Sequence, residues 1–369
     1  MNFLYFKKLI DKYMFGAACS ILGLVKINKR LDIKKVRRIL IIKIWALGDS
    51  VVLLPTIKAI KDKFPNIKID VLAHKSNKAV FEGQEFIDNI IEFSLPNILR
   101  LFKKYDLCID AEPFANVSAT ISFLSSSYSL GFSHGVRSKV YNETTLFNKN
   151  QHMVSNYLDF AEKIGIKPSV DKLIPIKINK NDSQHVSEYI RKNNIHENDF
   201  VVALVPGVGS SVRYRMWPID NFAKLGDELI RKFGAKVIFV DSKGNKPVVK
   251  EIQALMDEKS INTAGDFSVK QAAEMLRRCK VVVSNDSGMM HVSAAMGTKT
   301  IGLFGPNTPA LWAPYGKGNV SIWKPKKGCP FIDNTKAELA PENLTKEQIT
   351  CMDAITVDDV IKAVERIRK

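Results

Sequence analysis

At 369 residues and 46% hydrophobic side chains, the chain is long enough for two domains that each bury a core, and too apolar for a disordered segment. Its 55 Lys and Arg against 38 Asp and Glu leave a formal charge of +17, which calls for an anionic partner: a phosphorylated substrate, an anionic membrane face or nucleic acid. The lysines are scattered and no basic motif is interleaved with aromatics, so nucleic acid ranks last. Five dispersed cysteines without a C-x-x-C pair exclude a secreted disulfide framework and argue against a zinc site, although Cys329 and Cys351 flank one polar loop and are candidates to pair.

Residues 1–36 stand apart. Phe3 to Phe6 precede Lys7 and Lys8, Met14 to Val25 carries no charge, and Lys26, Lys29 and Arg30 close the run. The run is shorter than the roughly 20 residues a spanning helix needs. It reads as an uncleaved helix lying on an anionic membrane face, with aromatics and lysines at the interface. The competing reading is a helix packed on the protein itself.

From Arg37 the pattern turns to alternating strands and helices. Strands are predicted at 38–44, 67–73, 89–93, 107–110 and 129–132, with helices through 55–63, at 118–125 and at 152–164. A crossover at 165–181 leads to a second series: strands at 200–205, 236–240, 281–283 and 300–304, and helices at 219–233, 248–256, 269–279 and 289–297. Such spacing predicts βαβ units and parallel sheets. The domains expected are 37–178 and 179–350, followed by a polar tail and a closing helix within 351–369.

Three loops at strand ends carry candidate chemistry. In the first, Leu47-Gly48-Asp49-Ser50, Gly48 allows a tight turn and close substrate approach, and Asp49 is placed as a general base or, alternatively, as a helix N-cap. In the second, Arg213-Tyr-Arg215-Met-Trp217-Pro218, arginine suits diphosphate oxygens, and Trp217 reads as packing. In the third, Ser284-Asn-Asp286-Ser287-Gly288-Met289-Met-His291, a helix start offers unpaired N–H groups to a diphosphate, with Asp286 at the carboxyl end of the strand; N-capping is the plain alternative. His291 is expected to face the core as support. Asp110 and Glu112 read as acceptor-side residues in preference to an incomplete metal site.

The ordered set I-K-I-W-A-L-G-D-S-V-V-L-L-P, P-G-V-G-S-S-V-R-Y-R-M-W-P, S-N-D-S-G-M-M-H-V-S-A-A-M-G and G-L-F-G-P-N-T-P resembles glycosyltransferase family 9, the bacterial lipopolysaccharide heptosyltransferases. The likeness runs from about Arg37 to Lys324, and C-M-D-A-I at 351–355 resembles the family's tail. It implies an α/β GT-B fold, two Rossmann-like domains facing across a cleft. It implies an inverting transferase without metal or other cofactor. The donor would be a nucleotide sugar, ADP-heptose, held by the C-terminal domain; the acceptor would be a phosphorylated glycolipid of the lipopolysaccharide core.

By the same resemblance Asp49 is the base, Arg215 contacts the donor phosphates, Asp286 the sugar, and Ser287, Gly288 and Met289 form the diphosphate cradle with His291. Gly48, Ser50, Asp110 and Glu112 belong to the acceptor side. Many members carry a glutamate for the donor ribose after the strand that here ends at Val240; the nearest match is Asn245. The implied location is cytoplasmic, peripheral on the inner face of the cytoplasmic membrane. Two alternatives remain: a same-fold transferase using another nucleotide sugar, and a non-catalytic nucleotide-sugar or glycan-binding protein.

Overall fold

A computed structural model describes residues 3–27, 29–335 and 344–368, which divide into two compact units. The first holds residues 3–170 with 333–335; the second holds Asp171–Ile332 and the residues from 344 onward.

The first unit begins with α1 (Phe3–Ile10), a π-helical turn (Asp11–Phe15) and α2 (Gly16–Val25). There follow β1 (Arg38–Ile42), α3 (Leu47–Lys63), β2 (Lys68–Ala73), α4 (Lys78–Phe81), β3 (Asn89–Glu92), α5 (Leu95–Leu99), β4 (Tyr105–Asp110), α6 (Asn116–Ser125), β5 (Ser126–Phe132), a 3-10 turn (Val136–Val140), β6 (Glu143–Thr145) and α7 (Met153–Lys163). The six strands make one parallel sheet in the order β3-β2-β1-β4-β5-β6. Strand β1 is almost wholly buried, as expected of a central parallel strand covered on both faces. Chain direction across the sheet reverses between β1 and β4, so the loops leaving these two strands adjoin. Open parallel sheets bind ligands at that switch point.

The second unit runs α8 (Lys180–Lys192), β7 (Val201–Val205), α9 (Ile219–Phe233), β8 (Lys236–Phe239), α10 (Lys246–Leu255), β9 (Ile261–Asn262), α11 (Val269–Arg278), β10 (Val281–Asn285), α12 (Gly288–Ala295), β11 (Lys299–Phe304), α13 (Pro309–Trp312), β12 (Val320–Trp323), α14 (Lys346–Ile349) and α15 (Val357–Arg368). Its sheet, β12-β11-β10-β7-β8-β9, is also parallel and repeats the topology, with the switch between β7 and β10. Local signals set several boundaries: Gly234 ends α9 in the left-handed region, and Ser268 with Gln271 forms a capping box on α11. Cys329 and Cys351 are joined in a disulfide; Cys19, Cys108 and Cys279 are buried thiols.

Most predicted elements match within two or three residues. Helix α8, beginning at the end of the expected crossover 165–181, was not predicted, nor were α4, α5, β6, β9 and β12, which are too short to show a period. The N-terminal helix does pack on the protein. Asp11 accepts the Asn116 and Val117 N–H groups at the start of α6 (3.0 and 2.8 Å), Cys19 is wholly buried, and Lys26 Nζ donates to the Tyr141 carbonyl at 2.7 Å. Its other side leaves Phe6, Tyr13, Met14, Ile21, Leu24 and Val25 exposed. No described helix is long and apolar enough to cross a membrane.

Candidate active site

In the first unit the site grows from a lysine set in an apolar stretch. Lys43 follows β1 directly and is 1% exposed. Its Nζ donates to Asp49 Oδ1 at 3.3 Å and to Glu112 Oε2 at 3.2 Å. The other Glu112 oxygen accepts the N–H groups of Ile44 (2.6 Å) and Trp45 (2.9 Å). These bonds fix the backbone just before Ala46, which holds φ at 67° and starts α3. A left-handed alanine costs on the order of 1–2 kcal/mol, so the turn relies on such anchoring.

Asp49 therefore lies in the first turn of α3, where the helix dipole favours a carboxylate. Tyr157 Oη, from α7, donates to the same Asp49 Oδ1 at 3.3 Å. Asp49 Oδ2 has no partner among the described residues, and the side chain is 17% exposed. One oxygen is tethered and the other is available. Burial opposes charge on Lys43, yet Asp49 and Glu112 keep its pKa above the ordinary lysine value. Burial, then the Asp49 carboxylate, pushes the Tyr157 phenol well up, so it stays a donor at neutral pH. One cation faces two carboxylates; burial also pushes Glu112 upward, against the pull of Lys43.

Several expectations are corrected here. Asp49 is not the N-cap of α3; that position is Ala46, and no side chain caps it. The tight turn falls at Ala46, while Gly48 lies buried inside the helix. Ser50 is not open to an acceptor: it is wholly buried, donates to the Ala46 carbonyl at 2.9 Å and accepts from Asn77 Nδ2 at 2.7 Å. Asp110 and Glu112 are likewise buried and cannot touch an acceptor directly. Asp110 Oδ2 accepts from Arg137 Nη2 (2.7 Å), Tyr141 Oη (2.7 Å) and Ser118 Oγ (2.8 Å). Each of these two carboxylates already faces its own cation, Arg137 or Lys43.

In the second unit the loops after β7 and β10 meet at the switch point. Asn285 links them: its Nδ2 donates to the Pro206 carbonyl at 2.6 Å and its Oδ1 accepts the Trp217 N–H at 3.1 Å. Trp217 is fully buried, with Nε1 bonded to the Ile355 carbonyl at 2.9 Å, which bears out its packing role. The loop so held brings Arg215 Nη1 to 3.2 Å from Asp286 Oδ2, an oxygen that also accepts from Asn307 Nδ2 at 2.9 Å. Asp286 does not cap α12. The N-cap is Ser287, without a side-chain cap bond, because its Oγ lies 3.2 Å from Ser284 Oγ. The N-terminus of α12, at Gly288 and Met289, thus keeps N–H groups that no side chain caps. His291 is buried as expected, edge-on to Trp312 at 5.8 Å.

Asn245 turns its amide nitrogen inward, donating to Asp241 Oδ1 at 2.8 Å. Asp241 Oδ2 accepts the Gly207 N–H at 2.6 Å, and burial raises the pKa of this carboxyl group. A Cβ at Gly207 would collide with both Asp241 and Asn245, so glycine is required for this approach. The acidic group behind β8 is therefore Asp241, which sequence reasoning passed over along with Lys43, Tyr157, Asn285 and Asn307. For Lys43 there was a signal, a charge in an otherwise apolar strand. Tyr157 offered none.

The family model for glycosyltransferase family 9 (heptosyltransferase) matches residues 98–339. The lipooligosaccharide heptosyltransferase 2 of Haemophilus ducreyi is 28% identical over 310 residues, covering 77% of this chain and 88% of that protein. A protein of the same name from Campylobacter jejuni is 26% identical over 321 residues, covering 82% and 95%. Among solved structures, a family 9 glycosyl transferase from Veillonella parvula aligns with a TM-score of 0.74 at 21% identity, over 90% of this chain and 97% of that one. The ADP-heptose lipopolysaccharide heptosyltransferase II of Escherichia coli aligns at 0.71 and 20%, over 89% and 98%. These likenesses fit the two α/β units and their parallel sheets, the GT-B architecture. The chain belongs to glycosyltransferase family 9, the heptosyltransferase family.

Proposed function

We propose that this chain is an inverting heptosyltransferase that moves heptose from ADP-heptose onto a phosphorylated glycolipid of the lipopolysaccharide core. The observation that carries the reading is Asp49, with one oxygen held by Lys43 and Tyr157 and the other unengaged. A general base needs that combination of fixed orientation and a free lone pair. Asp49 Oδ2 takes the proton from an acceptor hydroxyl as its oxygen bonds to the anomeric carbon, and the bond from that carbon to the ADP oxygen breaks with inversion.

In the second unit Arg215 and the α12 start at Ser287, Gly288 and Met289 would receive the departing diphosphate, and Asp286 the sugar hydroxyls. Fixed positive charge and oriented N–H groups are the stabilising elements in this scheme, with no metal step. His291 supports α12 from within. The Asn245 amide, bound to Asp241, is a poor ribose contact, and this favours testing donors beyond ADP-heptose.

The exposed apolar side of α1 and α2, with the net charge of +17, supports a place on an anionic membrane surface, where a glycolipid acceptor would lie. The deciding experiment is a panel of ADP-, UDP- and GDP-sugars with a lipopolysaccharide-core acceptor, read by product mass. Transfer from ADP-heptose alone is expected. Transfer from a different nucleotide sugar would replace the donor, and binding without turnover of any donor would replace the enzyme reading.

A further inference from the structure

Segment 95–101 and α6 cover the same face of the first sheet, and α2 packs on α6. Ile98 and Leu101, in and just after α5, share a core cluster with Val117 and Ile121 of α6, over Leu40, Ile42 and Cys108 of the sheet. On its other flank α6 gives Ala119 and Phe123 to a cluster with Cys19 and Leu22 of α2. The outer side of this layer is unusually apolar. Leu95, Leu99 and Phe102 recur at i, i+4 and i+7 and are 69%, 69% and 58% exposed, while Ile98 and Leu101 point inward. Leu124 of α6 adds to the stripe next to Lys103, whose N–H bonds to its carbonyl at 2.9 Å. Ile21, Leu24 and Val25 of α2, which packs on α6, are exposed as well.

The charges around the stripe name its occupant. Residues 95–104 contain Arg100, Lys103 and Lys104 and no acid, and all three cations are exposed. Lys103 Nζ lies 5.4 Å over the Phe102 ring, so a cation and an apolar plate stand at one level. A protein partner would have to match three large apolar groups at a cationic rim; an anionic bilayer offers acyl chains below and phosphates above. The stripe also starts close to the reacting loop, since Phe93, two residues before Leu95, meets Trp45 edge-on at 5.8 Å.

We propose that the segment Leu95–Lys104 is a second membrane-inserting element, distinct from the N-terminal helix. With α2 and α6 it seats the first unit on anionic phospholipid, so that the Trp45–Asp49 loop sits beside the headgroup layer. This rests on the membrane reading given above and adds to it a site of contact.

The test uses the full chain and vesicles of phosphatidylethanolamine with phosphatidylglycerol, by co-sedimentation across a salt series. Leu95→Ser/Leu99→Ser/Phe102→Ser should bind about tenfold or more weakly. Arg100→Gln/Lys103→Gln/Lys104→Gln should bind about a hundredfold more weakly at low salt and show a flatter salt dependence. Both should keep the wild-type circular dichroism spectrum and turnover of a soluble, delipidated acceptor, because the changed side chains face solvent. If the wild type binds vesicles and the apolar triple variant binds equally well, the N-terminal helix acts alone and the proposal fails. If the wild type does not bind, the membrane reading itself fails with it. A wild-type dimer that the triple variant turns into a monomer would assign the stripe to a second copy instead.

Discussion

Tyr157 and Asp49, 108 residues apart in sequence, are joined by a 3.3 Å hydrogen bond from the phenol to one carboxylate oxygen. That bond fixes the orientation of the carboxylate. Tyr157→Phe removes it while keeping the ring among Phe132 and Phe160. A hydrogen bond to a charged group contributes about 1.5–3 kcal/mol, so kcat should fall by about tenfold or more as the base loses its fixed orientation, with donor binding unchanged. An unchanged kcat would remove Tyr157 from the positioning of Asp49.

Lys43 should matter for folding as well as for Asp49. Lys43→Met leaves Glu112 buried without its cation, at a cost of about 3–5 kcal/mol to the first unit. The folded pKa of Lys43 lies above its ordinary value, so its stabilisation is complete below the unfolded lysine pKa, about 10.4, and fades as pH climbs through the folded one. Urea unfolding of both proteins should show a constant gap from neutral pH to about 10 that closes above it. An equal gap at every pH would point to lost packing instead of lost charge.

Asp49→Asn should lower turnover by about 10²–10⁴, the range for a general base. Because Asp49 pairs with Lys43 and caps nothing, a stability loss of about 1.5–3 kcal/mol is expected alongside, typical of a charged hydrogen bond. Steady-state kinetics at a temperature where the variant is fully folded separates the two effects. Normal turnover under those conditions would rule the base out.

Arg215→Ala should weaken nucleotide-diphosphate binding by about 1.5–3 kcal/mol. Calorimetry with ADP gives the value directly. Unchanged affinity in a folded variant would mean that Arg215 serves only to hold Asp286.

The disulfide closes a loop of 22 residues in sequence separation, and removing such a link costs about 3 kcal/mol in the chain-entropy account. Cys329→Ser and thiol-reduced wild type should lose the same stability in the second unit. If reduction leaves the unfolding midpoint unmoved, the bond is not contributing through the unfolded chain.

Much of the fold was legible because long strands and helices impose their own periods. The apolar run 281–283, which opens β10, and the helix 269–278 are examples. Segment 95–99 was not legible: five residues are too few for a period, and its outward leucines look like core residues until the sheet behind them is in view. At the candidate site the loops were readable and their internal ties were not. Asp49, Arg215 and Asp286 announce themselves by residue type in polar loops or helix starts that follow apolar strands. The role of Lys43 depends on β1 pairing with β4, which brings Glu112 alongside, and that is a property of strand order. The same long-range placement withdrew Ser50, Asp110 and Glu112 from direct contact with an acceptor.

The bonds from Asp11 to the start of α6 span 105 and 106 residues of sequence. At about 5–20 residues per second of translation, the N-terminal helix leaves the ribosome roughly 5–20 seconds before its docking partner exists. During that interval its buried side, Cys19 and Leu22, is as bare as its outer side, Leu24 and Val25. The nascent chain therefore exposes the apolar residues on both sides of α2 before α6 exists to cover one of them.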